Sequence, residues 1–164
     1  MELNDVAGAP RITLRPVGYE FESATGDAWD DNWLVIAGEV ISGETQWSFS
    51  HPSLVVDEAI EIAEWLERVA RRLERPTDEE RSEGVDPTLA FTEPNLAFSV
   101  RSYGEDTVVV RVHLSQEARP AELPAPTSAH IAGDAFWIEM RIKLTDAASA
   151  AAQWRTELAL FPRR

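Results

Sequence analysis

The sequence predicts an α+β fold with a largely antiparallel, curled sheet of about seven strands and two amphipathic helices. Several segments alternate apolar and polar residues with a period of two, as strands with one buried face do. Two other segments carry an apolar stripe at helical spacing, and these helices are available to cover the buried face. The elements follow one another as three strands, a helix, four strands and a helix, an order that favours the α+β class.

The first third of the chain predicts three strands. Residues 1–9 lack a periodic pattern, and we expect a flexible N-terminus there. Arg11–Pro16 alternates as a strand does. Trp33–Ile41 and Thr45–Ser50 predict a hairpin, because the tripeptide Ser42–Glu44 between them is rich in turn-forming residues.

The strongest helix signal follows this hairpin. Its apolar residues recur at alternating steps of four and three, at Val55, Ala59, Ile62, Leu66, Val69 and Leu73. Pro76 is predicted to end the helix, since a residue before proline is pushed out of the α region. The charged stretch Thr77–Pro87 then predicts a solvated loop.

The second half predicts four strands and the closing helix. The strands are Leu89–Phe91, Leu96–Arg101, Val108–Leu114 and Phe136–Leu144. Residues 115–134 predict a proline-containing loop. Thr145 or Asp146 is expected to cap the helix, whose apolar stripe is Ala147, Ala151, Trp154, Leu158 and Phe161. On the outer face of these strands we expect His113 to be solvated, with Trp137 on the outer face of the last strand.

Length and composition bound the class of protein. The 164 residues suit one domain, residues 1–164, with a single sizeable core. The absence of cysteine excludes disulfides, thiol nucleophiles and thiolate metal sites. The acidic N-terminus lacks the order of a signal peptide, and no apolar run is long enough to span a membrane, so we expect a cytoplasmic protein.

Charge is distributed unevenly along the chain. The net charge is −14, and residues 1–67 hold fourteen acidic residues against two arginines, a difference of −12. Such a field repels nucleic acid and anionic membranes and attracts basic proteins. Two interpretations stay open at this point: the acidity steers a basic partner, or it only keeps the protein in solution.

No segment indicates catalysis. The chain has no Gly-rich phosphate loop, no Gly-x-Ser-x-Gly elbow and no His-Glu-x-x-His motif. The histidines His51, His113 and His130 share no metal-ligand spacing. Adjacent carboxylates point to opposite faces of a strand and cannot form the facing pair of a glycosidase. We therefore predict no catalytic residues, no metal and no cofactor.

Two acidic segments are candidate partner-binding sites. The denser one joins three acids to an aromatic side chain, at Asp27, Trp29, Asp30 and Asp31. An exposed tryptophan ringed by acids has the composition of a binding hot spot for a basic partner. The alternative is that Trp29 packs into the edge of the core while the acids face water. The second candidate is the acidic triplet of the charged loop, Asp78, Glu79 and Glu80.

Five short segments resemble a known family. Ile12–Pro16, Asp30–Leu34, Gly38–Val40, Trp47 and Phe91–Phe98 occur in the order seen in WapI-type immunity proteins of bacterial polymorphic toxin systems. The resemblance implies a cytosolic protein that binds and blocks the toxic C-terminal domain of a contact-delivered toxin, often a nuclease. It implies no catalytic residues and no cofactor, and it does not assign the toxin-binding surface.

The sequence therefore leads to one functional prediction and one alternative. The prediction is an immunity protein that binds and neutralises a cognate toxin domain, a basic nuclease, without binding nucleic acid or membrane itself. The alternative is a non-enzymatic acidic domain that interacts with a different protein or has a structural role. The oligomeric state stays open.

Overall fold

The computed structural model describes residues 1–77, 86–121, 129–132 and 135–164. These residues form nine strands, two α-helices and two short 3₁₀ helices. The strands are β1 (Glu2–Asn4), β2 (Arg11–Tyr19), β3 (Trp33–Ser42), β4 (Thr45–Val55), β5 (Leu89–Ala90), β6 (Leu96–Tyr103), β7 (Thr107–Leu114), β8 (Ala129–Ala132) and β9 (Ala135–Lys143). The helices are α1 (Val56–Ala70) and α2 (Leu144–Leu158), and the 3₁₀ helices are Asp30–Asn32 and Gln116–Ala118.

The first four strands form an antiparallel sheet in the order β1-β2-β3-β4. The predicted hairpin is β3 and β4, whose register pairs Ser42 with Thr45. Gly43 occupies the turn with a φ of +61°, a conformation that glycine adopts without strain. Val40, Ile36 and Leu34 alternate as fully buried residues along β3, so this strand presents one face to the core.

The remaining strands form a second antiparallel sheet in the order β5-β6-β7-β9-β8. Strand β8 pairs with β9 over Ala129–Ala132, inside the stretch 115–134 that was predicted to be a loop. That prediction was wrong here and at the 3₁₀ helix Gln116–Ala118. Both elements are shorter than the windows over which hydrophobic periodicity can be recognised.

The N-terminal residues join the two sheets. Strand β1 pairs with β2 in the first sheet, and the Val6 amide donates to the Arg141 carbonyl of β9 at 2.8 Å. Met1 and Leu3 are buried, at 1% and 2% exposed. Residues 1–9 therefore lie against both sheets, whereas the sequence indicated a flexible N-terminus. The difference has a physical cause, because a three-residue strand carries only one inward side chain and gives no periodic signal.

Helix α1 buries the apolar stripe that the sequence predicted, together with Trp65, which is fully buried. It ends at Ala70, six residues before Pro76. Arg72 adopts a φ of +60°, and the Leu73 amide donates to the Arg68 carbonyl at 2.8 Å, as in a Schellman motif. Leu73 is consequently 64% exposed, so its predicted place on the buried stripe was wrong.

Helix α2 packs against α1. Its predicted residues Ala147, Ala151, Trp154 and Leu158 are buried. The Trp154 indole donates to the Ala59 carbonyl of α1 at 2.6 Å, which fixes the contact between the two helices. The helix begins at Leu144 after an N-cap at Lys143, which precedes the predicted caps Thr145 and Asp146.

One continuous apolar cluster draws residues from both sheets and both helices. The α+β class, the antiparallel pairing and the two amphipathic helices are confirmed. The strands divide between two sheets, neither of them closed into a barrel, where one curled sheet was expected. Two strands, β1 and β8, come in addition to the predicted seven. Among the described residues, neither helix is long and apolar enough to cross a membrane.

Candidate functional site

The acidic tryptophan segment forms a compact turn between β2 and β3. Asp27 organises its tip, because its carboxylate accepts the Trp29 amide at 2.8 Å and the Asp30 amide at 3.2 Å. The Asp31 amide in turn donates to the Asp27 carbonyl at 2.9 Å. An aspartate that accepts amides two and three residues ahead is a capping residue. Asp27 remains exposed to solvent.

Asp31 has a different place in the same turn. It is 5% exposed, and its carboxylate accepts the Gly26 amide at 3.0 Å and the Thr25 amide. The hydrogen bond from Thr25 lowers the pKa of Asp31, which stays ionised. Gly26 has a φ of +92°, so glycine suits the position where the chain folds back over this carboxylate. Of the three acids, Asp31 therefore holds the turn together from inside.

Trp29 projects from this turn and is 54% exposed. Its ring meets the ring of Trp33 edge to face, with centroids 5.9 Å apart. Trp33 is half-buried at the start of β3. Trp29 therefore does not pack into the edge of the core. Its indole lies on the surface, in contact with the Trp33 ring. A large aromatic side chain held in one orientation makes contacts at a small cost in conformational entropy.

The C-terminal residues fasten the turn to the rest of the molecule. Asn32 donates to the Ala28 carbonyl at 2.6 Å and accepts the Arg164 amide at 2.9 Å. The Arg164 guanidinium lies 3.6 Å from the centre of the Tyr19 ring and donates to the Phe21 carbonyl at 2.8 Å. These contacts hold Arg164 against the turn and the end of β2.

Arg163, next to Arg164, forms an ion pair with Asp57 of helix α1. Both side chains are more than half exposed, at 64% and 57%. One hollow beside the pair is lined by Trp29, Asn32 and Val55, among others. A second hollow, of about 470 Å³, lies between Ile60 of α1 and the end of α2. Asp57 and Arg163 line both, so the two hollows form one groove, here called the Trp29–Ile60 groove.

The second sequence candidate cannot be placed in the same way. Asp78, Glu79 and Glu80 lie outside the residues that the structure describes. Thr77, the last described residue before them, donates its amide to the Val100 carbonyl at 2.8 Å. The chain therefore enters this segment beside strand β6.

A buried polar cluster lies on the outer face of the second sheet, where solvated positions were expected. His113 is 7% exposed and shares a hydrogen bond of 2.9 Å with the Ser99 hydroxyl. Trp137, on the neighbouring strand, is fully buried with its ring 5.9 Å from that of His113. The prediction for His113 was wrong because strand alternation assigns a side chain to a face but does not say what covers that face.

The same cluster contains a buried ion pair. Arg111 is 2% exposed and donates to Glu139 at 3.1 Å and to the Thr77 carbonyl at 2.8 Å. Glu139 also pairs with the exposed Arg101. Burial, and then the Arg111 charge, lowers the pKa of His113 to about 4. The imidazole is therefore neutral at physiological pH.

The cluster contains a serine next to a histidine, which invites comparison with a nucleophilic site. Such a site needs the serine to be open to substrate and the histidine to be oriented by a third group. Ser99 is fully buried, so the geometry favours a structural role. Among the described residues, no group of three or more His, Asp or Glu side chains is placed to hold a metal ion.

Two of the residues that carried the family resemblance, Asn95 and Trp47, make structural contacts. Asn95 is 1% exposed and donates to Ser53 at 3.1 Å, which ties the start of β6 to strand β4. The Trp47 indole donates to the Ala118 carbonyl at 3.0 Å, which links β4 to the 3₁₀ helix Gln116–Ala118. These positions therefore account for the fold and do not themselves define a binding surface.

Comparison with known proteins gives a match to a sequence family. No curated protein and no solved structure matches the chain. The sequence model described as "Immunity protein WapI-like family" matches residues 3–162, which is nearly the whole chain and more than the span of the short motifs. The chain belongs to the WapI-like immunity protein family.

Proposed function

We propose that this protein binds the toxic domain of a cognate bacterial toxin in the cytoplasm and neutralises it without catalysing a reaction. The observation that carries the proposal is the family match over residues 3–162. An immunity protein acts on its toxin by direct contact, so the property to look for is a surface fitted to one protein partner. The exposed Trp29, whose ring packs edge to face on Trp33, is a candidate member of such a surface.

Charge supports a basic toxin domain, and a nuclease in particular. A nuclease needs a basic groove to hold phosphates, and an acidic protein can occupy that groove or cover its edge. Residues 1–67 supply fourteen acids against two arginines. Helix α1 alone contains Asp57, Glu58, Glu61, Glu64 and Glu67 against Arg68. The electrostatic part of such binding would act chiefly on the association rate.

Co-expression tests the proposal. The chain is produced in a bacterial cell together with the toxin domain encoded by the adjacent gene, and growth is followed. We expect this protein to restore growth and an unrelated immunity protein of similar net charge to fail, since specificity needs more than total charge. If growth is not restored, the protein acts on a different partner and the proposed function is wrong.

A further inference from the structure

Exposed apolar side chains lie at both hollows of the Trp29–Ile60 groove. Of the seven large hydrophobic residues that the structure shows exposed, Trp29 and Ile60 line the Trp29–Ile60 groove, and Leu160 belongs to the C-terminal segment that borders it. Trp29 is 54% exposed, Ile60 37% and Leu160 76%. Apolar surface gathered around a groove, with a polar rim, is characteristic of protein-binding sites.

The groove itself is lined by Asp57 together with Arg155, Arg163 and Arg164, and Arg155 is paired with Glu67. Exposed acids of the neighbouring turn and helix are here called the acidic rim. Asp27 and Asp30 flank Trp29 on the turn, and both are exposed. On α1, Asp57, Glu61 and Glu64 are exposed at spacings of four and three, which places them on one face of the helix beside Ile60. Glu58 is not part of this rim, because its carboxylate accepts the Val55 and Thr92 amides.

Arg163 shows that the groove can hold a cationic side chain against Asp57. The Arg163 guanidinium pairs with Asp57, between the hollow beside Trp29 and the hollow beside Ile60. Both partners are more than half exposed, and a surface pair of this kind contributes little to folding, about 0–1 kcal/mol. A cation from another protein could therefore replace Arg163 on Asp57 without unfolding the groove.

We propose that the Trp29–Ile60 groove is the docking surface for the toxin domain, and that a basic side chain of the toxin displaces Arg163 from Asp57. The inference rests on the proposed function, since it takes the toxin domain as the occupant. Trp29 and Ile60 contact apolar side chains next to that cation. The acids of the rim select a basic surface, and the two apolar anchors provide most of the affinity.

The test measures the affinity of purified variants for a catalytically inactive form of the toxin domain encoded by the adjacent gene. Trp29→Ala should weaken binding roughly thirtyfold or more, the loss typical of a hot spot. Asp57→Asn should also weaken it, because the carboxylate that receives the toxin's cation is lost. Arg163→Ala should strengthen binding, because it removes the competing cation from Asp57.

Arg141→Ala is the matched control for Arg163→Ala. It removes the same charge from an exposed position of β9, on the outer face of the second sheet and away from the groove. We expect it to change the affinity less than Arg163→Ala does. Each variant's unfolding transition is measured as well, so that loss of the fold is recognised. Ile60→Ser provides a second anchor variant at a position that is already partly exposed.

The outcomes separate the two proposals. Folded Trp29→Ala and Asp57→Asn proteins that bind the toxin domain as wild type does would overturn the groove while leaving the immunity function intact. An Arg163→Ala protein that binds no more tightly than Arg141→Ala would overturn the displacement of Arg163. A wild-type protein that neither binds the toxin domain nor protects cells would overturn the proposed function, and the groove proposal with it.

Discussion

The burial of His113 makes a quantitative prediction about pH. Its pKa is about 4 in the folded protein against 6.5 for a free histidine, because burial and the neighbouring Arg111 charge both disfavour the imidazolium. Between pH 6.5 and about 4, His113 is protonated in the unfolded chain but neutral in the folded chain. The stability that His113 contributes is therefore complete above pH 6.5 and falls between pH 6.5 and about 4.

The size of this effect follows from the two pKa values. The gap between 6.5 and about 4, at about 1.4 kcal/mol for each pH unit, corresponds to about 3–4 kcal/mol of unfolding free energy, most of which is lost by pH 4. His113→Gln removes the titration and keeps a polar side chain that can hydrogen-bond to Ser99. Asp31, whose pKa is lowered, is among the groups whose stabilising contribution is lost only at pH values below this range. Both proteins share those groups, so the difference between them isolates His113.

Urea unfolding monitored by tryptophan fluorescence provides the assay. The free energy of unfolding is measured for both proteins at several pH values from 7.5 down to about 4, the range that the two pKa values define. We expect the wild-type protein to lose about 3 kcal/mol more than His113→Gln across this range. Parallel curves for the two proteins would show that His113 is solvated, and would refute the buried cluster as described.

Three further predictions concern stability. Glu139→Ala should lower the free energy of unfolding by about 3–5 kcal/mol, because it leaves the buried Arg111 without its carboxylate partner. Arg101→Ala removes only an exposed partner of Glu139 and should lower it by about 0–1 kcal/mol. Chemical denaturation of both variants checks this. Gly38→Ala should cost about 1–3 kcal/mol in the same assay, because the new Cβ would lie 2.2 Å from the Phe49 ring, while Gly18→Ala meets no atom within 4 Å and should be tolerated. Addition of a chelator should leave the melting temperature unchanged, since a bound structural metal would raise it; a large drop in a thermal scan would contradict the metal-free account.

Much of the fold could be predicted because its signals are local. The hairpin of β3 and β4 has a turn-forming tripeptide between two strand-like segments, and both helices show an apolar stripe. Strands β1 and β8 are three and four residues long, too short for a periodic signal. The division into two sheets depends on which strands pair across long stretches of chain, and local patterns do not determine this.

The candidate site remains a prediction. The density of acids and tryptophans singled out this turn in the sequence, and two interpretations of Trp29 stayed open there. Sequence could not separate Asp27 and Asp31, because both are acids of one loop and differ only in what surrounds their carboxylates. The contact of Arg163 with Asp57 joins residues far apart in the chain, and no sequence motif predicted it.

The buried cluster of the second sheet shows the same limit. Arg111, His113 and Trp137 all fall on the face that alternation assigns to the outside. Arginine is seldom fully buried and histidine is intermediate, so the pattern favoured solvated positions. Their register across β7 and β9 brings Arg111 to Glu139, and this pairing depends on the tertiary fold.

Direct and specific contact with the toxin domain is what the proposed function requires of this protein. The most direct measurement is the binding kinetics of the purified protein with the inactive toxin domain of the adjacent gene and with an unrelated toxin domain. We expect a complex with the first only, whose association slows strongly between about 50 and 500 mM salt while dissociation changes less. An association rate indifferent to salt would mean that the acidity serves solubility alone, and absence of a complex with the adjacent toxin domain would contradict the account itself.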